Sequence, residues 1–247
     1  MSMEKSDALI IRLADFSESS RVVTFFTRDF GRISALAKGG KRLKGPFEAA
    51  LDLLAVCRIV FLRKSMPGLD ILTEAQLTSR FKPSGRDLVR FYGGYYIAEL
   101  LTGLTEEADP HPQLYQDSID ALTRLQEADP KVAIIRFELA VLREIGQLPA
   151  LDVCVNCGRP ADGAGTWLFS IRQGGLVCPN CAQESIAGEP VSAGTVAVLR
   201  RLSDESAAVV DRLALSARQL QEARKVVTAA VSHALGHPPK MLRYISS

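Results

Sequence analysis

The segment Arg21-Val22-Val23-Thr24-Phe25-Phe26-Thr27, then Asp29-Phe30-Gly31, then Arg32-Ile33-Ser34-Ala35-Leu36-Ala37-Lys38 reads as strand, turn, strand. The first run is β-branched and aromatic, the glycine permits a tight reversal, and the second run alternates polar with apolar. Upstream lies a short apolar run, Ala8 to Leu13. Downstream come a longer apolar stretch, Leu51 to Leu62, and a second alternating one, Ile71 to Phe81. In the latter, Ile71, Thr73, Ala75, Leu77, Ser79 and Phe81 are expected on one face. Five runs with turn residues between them predict a small barrel or sandwich. With one long basic loop the pattern fits an OB-type barrel, a fold that commonly binds oligonucleotides. Fold alone does not establish that function.

Lys82-Pro83-Ser84-Gly85 punctuates the chain, and beyond it the apolar period changes from two to about 3.6. Leu88, Phe91, Tyr92, Tyr95, Ala98 and Leu101 are expected on one helical face. Tyr115, Ile119 and Leu122 start another helix after Pro110-His111-Pro112. Asp129 is a good N-cap, Pro130 suits the first helical position and Gly146 ends that helix. Its Val132, Ile134, Ile135, Phe137, Leu139, Val141, Leu142 and Ile145 leave little polar surface, which predicts burial at the centre of a helical domain. Ser192 caps a short helix through Leu202. Ser216 caps another, with Leu220, Ala223, Val227, Val231 and Ala234 on one face, ended by Gly236 and Pro238-Pro239. The expected architecture is therefore α+β and multidomain. Residues 1–82 form an OB-type barrel, 83–247 form an α-helical domain, and 152–190 are a non-helical insert rich in Cys, Gly and Pro.

The insert carries the sharpest chemical signal, Cys154-Val155-Asn156-Cys157-Gly158 and Cys178-Pro179-Asn180-Cys181. Each Cys-x-x-Cys step curls the backbone so that two sulfurs face one point. Two such knuckles, brought together by a hairpin, place four thiolates in a tetrahedron that suits Zn²⁺. Thr166 to Ile171 and Leu176-Val177, around Gln173-Gly174-Gly175, supply the hairpin. A redox dithiol is disfavoured because thioredoxin-like motifs are not duplicated in a Gly- and Pro-rich insert. An iron–sulfur cluster stays open, with the paired knuckles favouring zinc. Four cysteines leave no coordination position for water, so one structural Zn²⁺ is expected, not a catalytic one. His111, His233 and His237 lie outside the insert and read as helix-end or surface residues. Cys57, the fifth cysteine, reads as a buried free thiol.

The second signal is Lys38-Gly39-Gly40-Lys41-Arg42-Leu43-Lys44-Gly45-Pro46. Four cations in a glycine-flanked loop can lie along a phosphate backbone and release counterions. A solvated surface loop is the plain alternative. The segment is not a Walker A loop, which needs Gly-x-x-x-x-Gly-Lys-Ser/Thr. Lys38, Lys41, Arg42 and Lys44 are the candidate DNA contacts, with Arg21 and Arg32 as weaker ones and Arg28 on a neighbouring strand. Phe25, Phe26, Phe30 and Phe47 are candidates for base stacking, although a small barrel needs Phe in its core. The charge distribution agrees: residues 1–82 hold 14 Lys and Arg against 9 Asp and Glu, leaving −3 for the rest of a chain whose net charge is +2. A basic first part suggests an anionic partner.

Apolar residues make up 47% and charged residues 23%, which excludes a mainly disordered chain. No long uninterrupted apolar run is present, and Met1 to Asp7 lacks the pattern of a secretory signal, so no membrane span and a cytoplasmic location are expected. Glu99 and Glu138, within apolar helical stretches, are expected to pair with arginines. No nucleophile-elbow, dinucleotide-binding or paired-carboxylate motif is present, and no enzymatic activity is expected.

Leu9-Ile10-Ile11-Arg12, Phe16 to Val23, Phe26 to Gly39, and the tail His233 to Gly236 with Lys240-Met241-Leu242-Arg243 resemble the RecO family of bacterial DNA repair proteins. The four-cysteine insert sits where that family places its zinc module. The resemblance implies a non-enzymatic mediator of recombinational repair in the RecFOR pathway, cytoplasmic and nucleoid-associated. Such a protein binds single- and double-stranded DNA and anneals complementary strands. With RecR and single-stranded-DNA-binding protein as partners, it helps RecA load onto covered strands. The rival reading is a zinc-ribbon and OB module that binds RNA in transcription or translation.

Overall fold

The structure is a computed structural model that describes residues 2–42, 47, 50–64, 68–83, 87–162, 164–204 and 215–245. The chain divides into two compact units, Met1–Glu127 with Arg243–Ser247, and Ala128–Leu242. The change of period near Lys82 therefore marks the passage from strand to helix, and the first two helices belong with the barrel.

In the first unit, β1 (Ser2–Asp15), β2 (Arg21–Thr27), β3 (Gly31–Ala37), β4 (Ala55–Arg63) and β5 (Asp70–Arg80) close a barrel in the order β1-β2-β3-β5-β4. All neighbours are antiparallel except β3 with β5, and β1 closes the ring by pairing with β4. This is an OB-type barrel. Ala8, Ile10, Val23, Phe25, Ile33, Ala35, Cys57, Ile59, Phe61 and Leu72 fill its interior. Cys57 is wholly buried, and burial pushes its thiol up to about 11.

Three departures from the expected strands have physical causes. β1 is far longer than Ala8 to Leu13, because polar Ser2 to Asp7 gain their ladder partners from Arg63 to Arg58 of β4. In β5 the inward face changes phase. Leu72 opposes Phe61 and Ala75 opposes Ile59, with a register shift between Val60 and Phe61. The extra residue of a bulge thus removes Ile71 and Thr73 from the face that Ala75 occupies. Leu51 to Leu54 is apolar without being strand. Leu51 and Leu54 are buried, and Leu54 holds a left-handed backbone at φ 64° while its N–H donates to Ile10 O.

Helices α1 (Leu88–Leu104) and α2 (Pro112–Glu127) pack on β1 and β2. That cover explains why Leu9 and Ile11, between the inward-facing residues of β1, are buried too. The expected apolar face of α1 is buried only at Ala98 and Leu101. Leu88 and Phe91 are exposed, and the buried set is Gly93, Gly94, Tyr96, Ile97, Ala98, Leu100 and Leu101. Gly94 dictates this: a Cβ there would stand 2.6 Å from both Leu54 Cδ1 and Phe81 Cε1. Gly31, at φ 65°, is required in the same way, since a Cβ would meet Asp109 O of the α1–α2 connection at 2.0 Å.

In the second unit, α3 (Pro130–Glu144) packs on α4 (Ala193–Ser203) and α5 (Ala217–Leu235), and α4 packs on α5. Asp129 caps α3 by accepting from Lys131 N at 2.8 Å. Ala133 to Ile135 and Phe137 to Leu142 of that helix are all buried. Ser216 and Gln219 form a reciprocal capping box on α5, and Gly236 closes it at φ 77°. The expected pairing of Glu138 is present: its carboxylate takes bonds from Arg224 at 2.5 and 2.7 Å. A last short helix, α6 (Leu242–Ile245), ends the described chain.

Candidate metal centre and nucleic-acid face

The insert folds around a three-stranded sheet, β6 (Thr166–Ser170) flanked by β7 (Gly175–Val177) and β8 (Glu189–Ser192). Ile171–Gln173 and left-handed Gly174 turn β6 into β7. A Cβ on Gly175 would meet Ala150 O at 2.5 Å, so glycine lets the hairpin lie against the chain entering the first knuckle. Val155 N then donates to Leu176 O at 2.8 Å, which sets the knuckle beside β7. Each knuckle is closed by its own backbone: Gly158 N donates to Cys154 O, and Cys181 N and Ala182 N donate to Cys178 O.

The outcome is a group of four sulfurs, Cys154, Cys157, Cys178 and Cys181, all within 4.8 Å of one another. Cys157 Sγ and Cys178 Sγ stand 3.7 Å apart. A tetrahedral ion with metal–sulfur bonds of about 2.3 Å needs sulfurs about 3.8 Å apart, so the spacing fits a metal ion. Cys154 and Cys178 are buried while Cys157 is exposed. Burial pushes the Cys154 thiol up, but the N–H groups of Cys178, Cys157 and Asn156 outweigh it and bring it to about 6. Cys181 is pushed up to about 12 by hydrogen bonding with Cys178 and Cys157 and by the charge of Cys154. Sulfurs this close cannot all shed their protons against mutual repulsion, a conflict that a bound dication removes.

At one end of the barrel two loops meet. The β1–β2 connection is pinned by Phe16 N to Ser20 O at 3.1 Å and Ser20 N to Ser17 Oγ at 3.2 Å. The turn after β3 is bonded to it through Lys41 N and Ser19 O, 3.1 Å apart. This bond brings Arg21, Lys38, Lys41 and Arg42 to the same end. Lys38 and Arg42 are exposed. Lys41 Nζ and Arg21 Nε converge on Asp15, at 3.0 and 3.4 Å. The hydrogen bond from Lys41 holds the Asp15 carboxyl below its ordinary value. Lys44 lies outside the described residues.

Arg32 does not join this group. It opens β3 beside the β2–β3 turn, six residues and about 20 Å of strand from Lys38. There its guanidinium donates to Thr105 O at 3.0 and 3.2 Å, closing the C-terminal end of α1. Arg28 occupies the same far turn. Phe25 and Phe47 are buried in the barrel core, Phe26 is buried on its outer face, and Phe30 packs edge-on against Phe61. The exposed aromatic at the basic end is Phe16, which keeps 62% of its surface. Its signal in the sequence is a lone Phe in the polar run Asp15-Phe16-Ser17-Glu18-Ser19-Ser20, with no apolar neighbour to draw it inward.

An OB-type barrel with cations at one loop end, on one chain with four cysteines placed to hold a metal ion, defines an OB-fold protein with a candidate metal site. Residues 1–81 match the family model described as Recombination protein O N terminal, and residues 85–243 match Recombination protein O C terminal. The chain belongs to the RecO family. It is 42% identical to the DNA repair protein RecO of Rhodopirellula baltica over 200 residues, 80% of this chain and 74% of that one. It is 32% identical to the protein of that name from Anaeromyxobacter dehalogenans strain 2CP-1, over 99% of this chain and 96% of the relative. For the Bacillus pumilus protein the identity is 29%, over 90% and 86%. No helix among the described residues is long and apolar enough to cross a membrane.

Proposed function

We propose that this chain is a DNA repair and recombination mediator with no catalytic activity of its own. It binds single- and double-stranded DNA, anneals complementary strands and, with RecR, helps RecA load onto strands covered by single-stranded-DNA-binding protein. It works in the cytoplasm, at the nucleoid. Family membership supports the repair role, and one structural observation carries the DNA-binding part: the bond between Lys41 N and Ser19 O gathers four cations at one end of an OB-type barrel. Annealing is opposed by phosphate repulsion, which a cationic surface lowers. Backbone contact carries no base information, so sequence preference is slight.

The metal in this reading is one Zn²⁺ held by Cys154, Cys157, Cys178 and Cys181. Four thiolates complete its tetrahedron and leave no site for water, so zinc supplies stability to a loop-rich insert and no chemistry. Metal analysis of protein purified without chelator is expected to give one zinc per chain, and Cys178→Ser to lower that content.

The experiment that tests the function is a titration of fluorescent single-stranded DNA at several salt concentrations, paired with an annealing assay on complementary oligonucleotides. Affinity is expected to fall linearly on a log–log plot against salt, and annealing to exceed the spontaneous rate. Salt-independent binding with no gain in annealing overturns the reading.

A further inference from the structure

We infer that Phe16 is a base-stacking platform for single-stranded nucleic acid, flanked by the cations Arg21, Lys41 and Arg42 that hold the adjoining phosphates. The inference rests on the DNA-binding reading above and deepens it, because it separates what recognises a single strand from what holds any phosphate chain.

Phe16 is exposed although the connection around it is tightly bonded. Its own N–H is fixed to Ser20 O, and the loop is closed again by Ser17 and Ser20. A ring on a pinned backbone loses little freedom when a base settles on it, which favours binding. The aromatic cluster of α1 behaves differently, since Phe91 packs on Tyr95 with centroids 4.7 Å apart and Tyr92 on Tyr244 at 4.9 Å. Among the described residues no ring or guanidinium covers Phe16. Its position is equally specific. Asp15, the preceding residue, gathers Lys41 and Arg21 within 3.4 Å, and consecutive Cα atoms are about 3.8 Å apart. Phe16 thus shares its loop with the carboxylate that gathers two cations, and Lys41 N, bonded to Ser19 O, ties the turn after β3 to that same loop. Every base has a π-face, so a lone aromatic beside a cationic track serves any sequence, as annealing requires. In a duplex the faces are already stacked, and only the phosphates remain to be held.

The test compares the full-length protein with Phe16→Ala, Phe16→Leu and Phe16→Trp on three fluorescent ligands of equal phosphate count: an oligothymidine, an abasic strand and a duplex. Phe16→Ala is expected to bind oligothymidine roughly fivefold more weakly or worse, with an unchanged salt slope. Phe16→Leu should share the loss because it is apolar without a π-face, and Phe16→Trp should restore affinity. Abasic and duplex affinities should not move. If Phe16→Ala binds oligothymidine like the wild type while Lys41→Ala/Arg42→Ala weakens it, the platform is refuted and the DNA reading stands. An equal loss on all three ligands also refutes stacking. If the wild-type protein binds none of the three, both readings fall together.

Discussion

In the unit Ala128–Leu242, Glu138 has no exposed surface and takes two bonds from Arg224. At the loop end of the barrel, Asp15 shows 68% of its side chain to water and meets Arg21 and Lys41. Both are carboxylates facing cations. Away from water, the two charges are tied to each other, because separating them would leave each poorly solvated. In water the pairing is weak and screened, so a phosphate can take the place of the carboxylate at little cost. Glu222 stands between them at 14% side-chain exposure, accepting from Ser192 Oγ and Thr195 Oγ1, both at 2.6 Å, and from Arg218 Nε at 2.8 Å. Exposure thus ranks three anionic sites from purely structural to exchangeable, and that ranking can be broken experimentally.

The largest effect is expected at the buried end. Arg224→Ala takes the guanidinium from a buried carboxylate and should cost about 3–5 kcal/mol in a denaturant melt. Glu138→Leu combined with Arg224→Met should recover most of it, because the conflict is removed along with the bond. A single variant within about 1 kcal/mol of wild type would show that water reaches this pair.

Glu222→Gln should cost about 1–3 kcal/mol at neutral pH, the range for a charge-assisted hydrogen-bond set. Burial raises the Glu222 carboxyl, but the bonds from Ser192, Thr195 and Arg218 prevail and lower it from 4.5 to about 2. The folded value lies below the unfolded one, so this contribution is complete above about pH 4.5 and lost as pH falls towards about 2. Melts between neutral pH and about pH 3 should show the gap between variant and wild type narrowing with acid. A constant gap would mean that shape, not charge, holds Ser192 and Thr195.

At the exposed end the readout moves from stability to binding. Lys41→Ala/Arg42→Ala should lower the log–log salt slope on single-stranded DNA by about 1.4, which is 0.7 per contact, and Lys44→Ala should take away about 0.7 more. Unrelated sequences should lose affinity alike, and zinc content should stay unchanged. An unaltered slope would make the turn after β3 a solvated loop.

The same gradient explains what could be read from the sequence. Patterns local in sequence left clear marks: the two knuckles, the apolar α3 between Asp129 and Gly146, the cap Ser216, and an arginine partner for Glu138. What depended on another segment did not. The bulge that rephases Leu72 and Ala75 is a property of the β4–β5 register, and the burial of α1 at Gly94 is set by Leu54 and Phe81. At the basic end, residue type marked Lys38, Lys41 and Arg42. Topology separated Arg32 from them, since one strand's length carries it to the far turn. Phe16 escaped notice because exposure is the absence of neighbours, and the four phenylalanines that looked available were needed in or against the core.

Asp15→Asn should give the smallest change and the most discriminating one. The carboxylate is held ionised by Lys41, so it occupies two cations that, on the proposed reading, DNA phosphates would take. Asparagine keeps the size and the polarity and removes the charge. Melting should scarcely move, because exposed pairs contribute little to stability. Single-strand affinity should rise instead, most at low salt, and the salt slope should steepen by less than the roughly 0.7 of one full phosphate contact. Annealing need not follow affinity upward, since a strand held more firmly exchanges its phosphates more slowly. Tighter binding with slower annealing would identify Asp15 as the group that keeps this surface exchangeable. Weaker binding, or an unchanged slope, would show that the carboxylate orients Lys41 and Arg21 for DNA and does not compete with it.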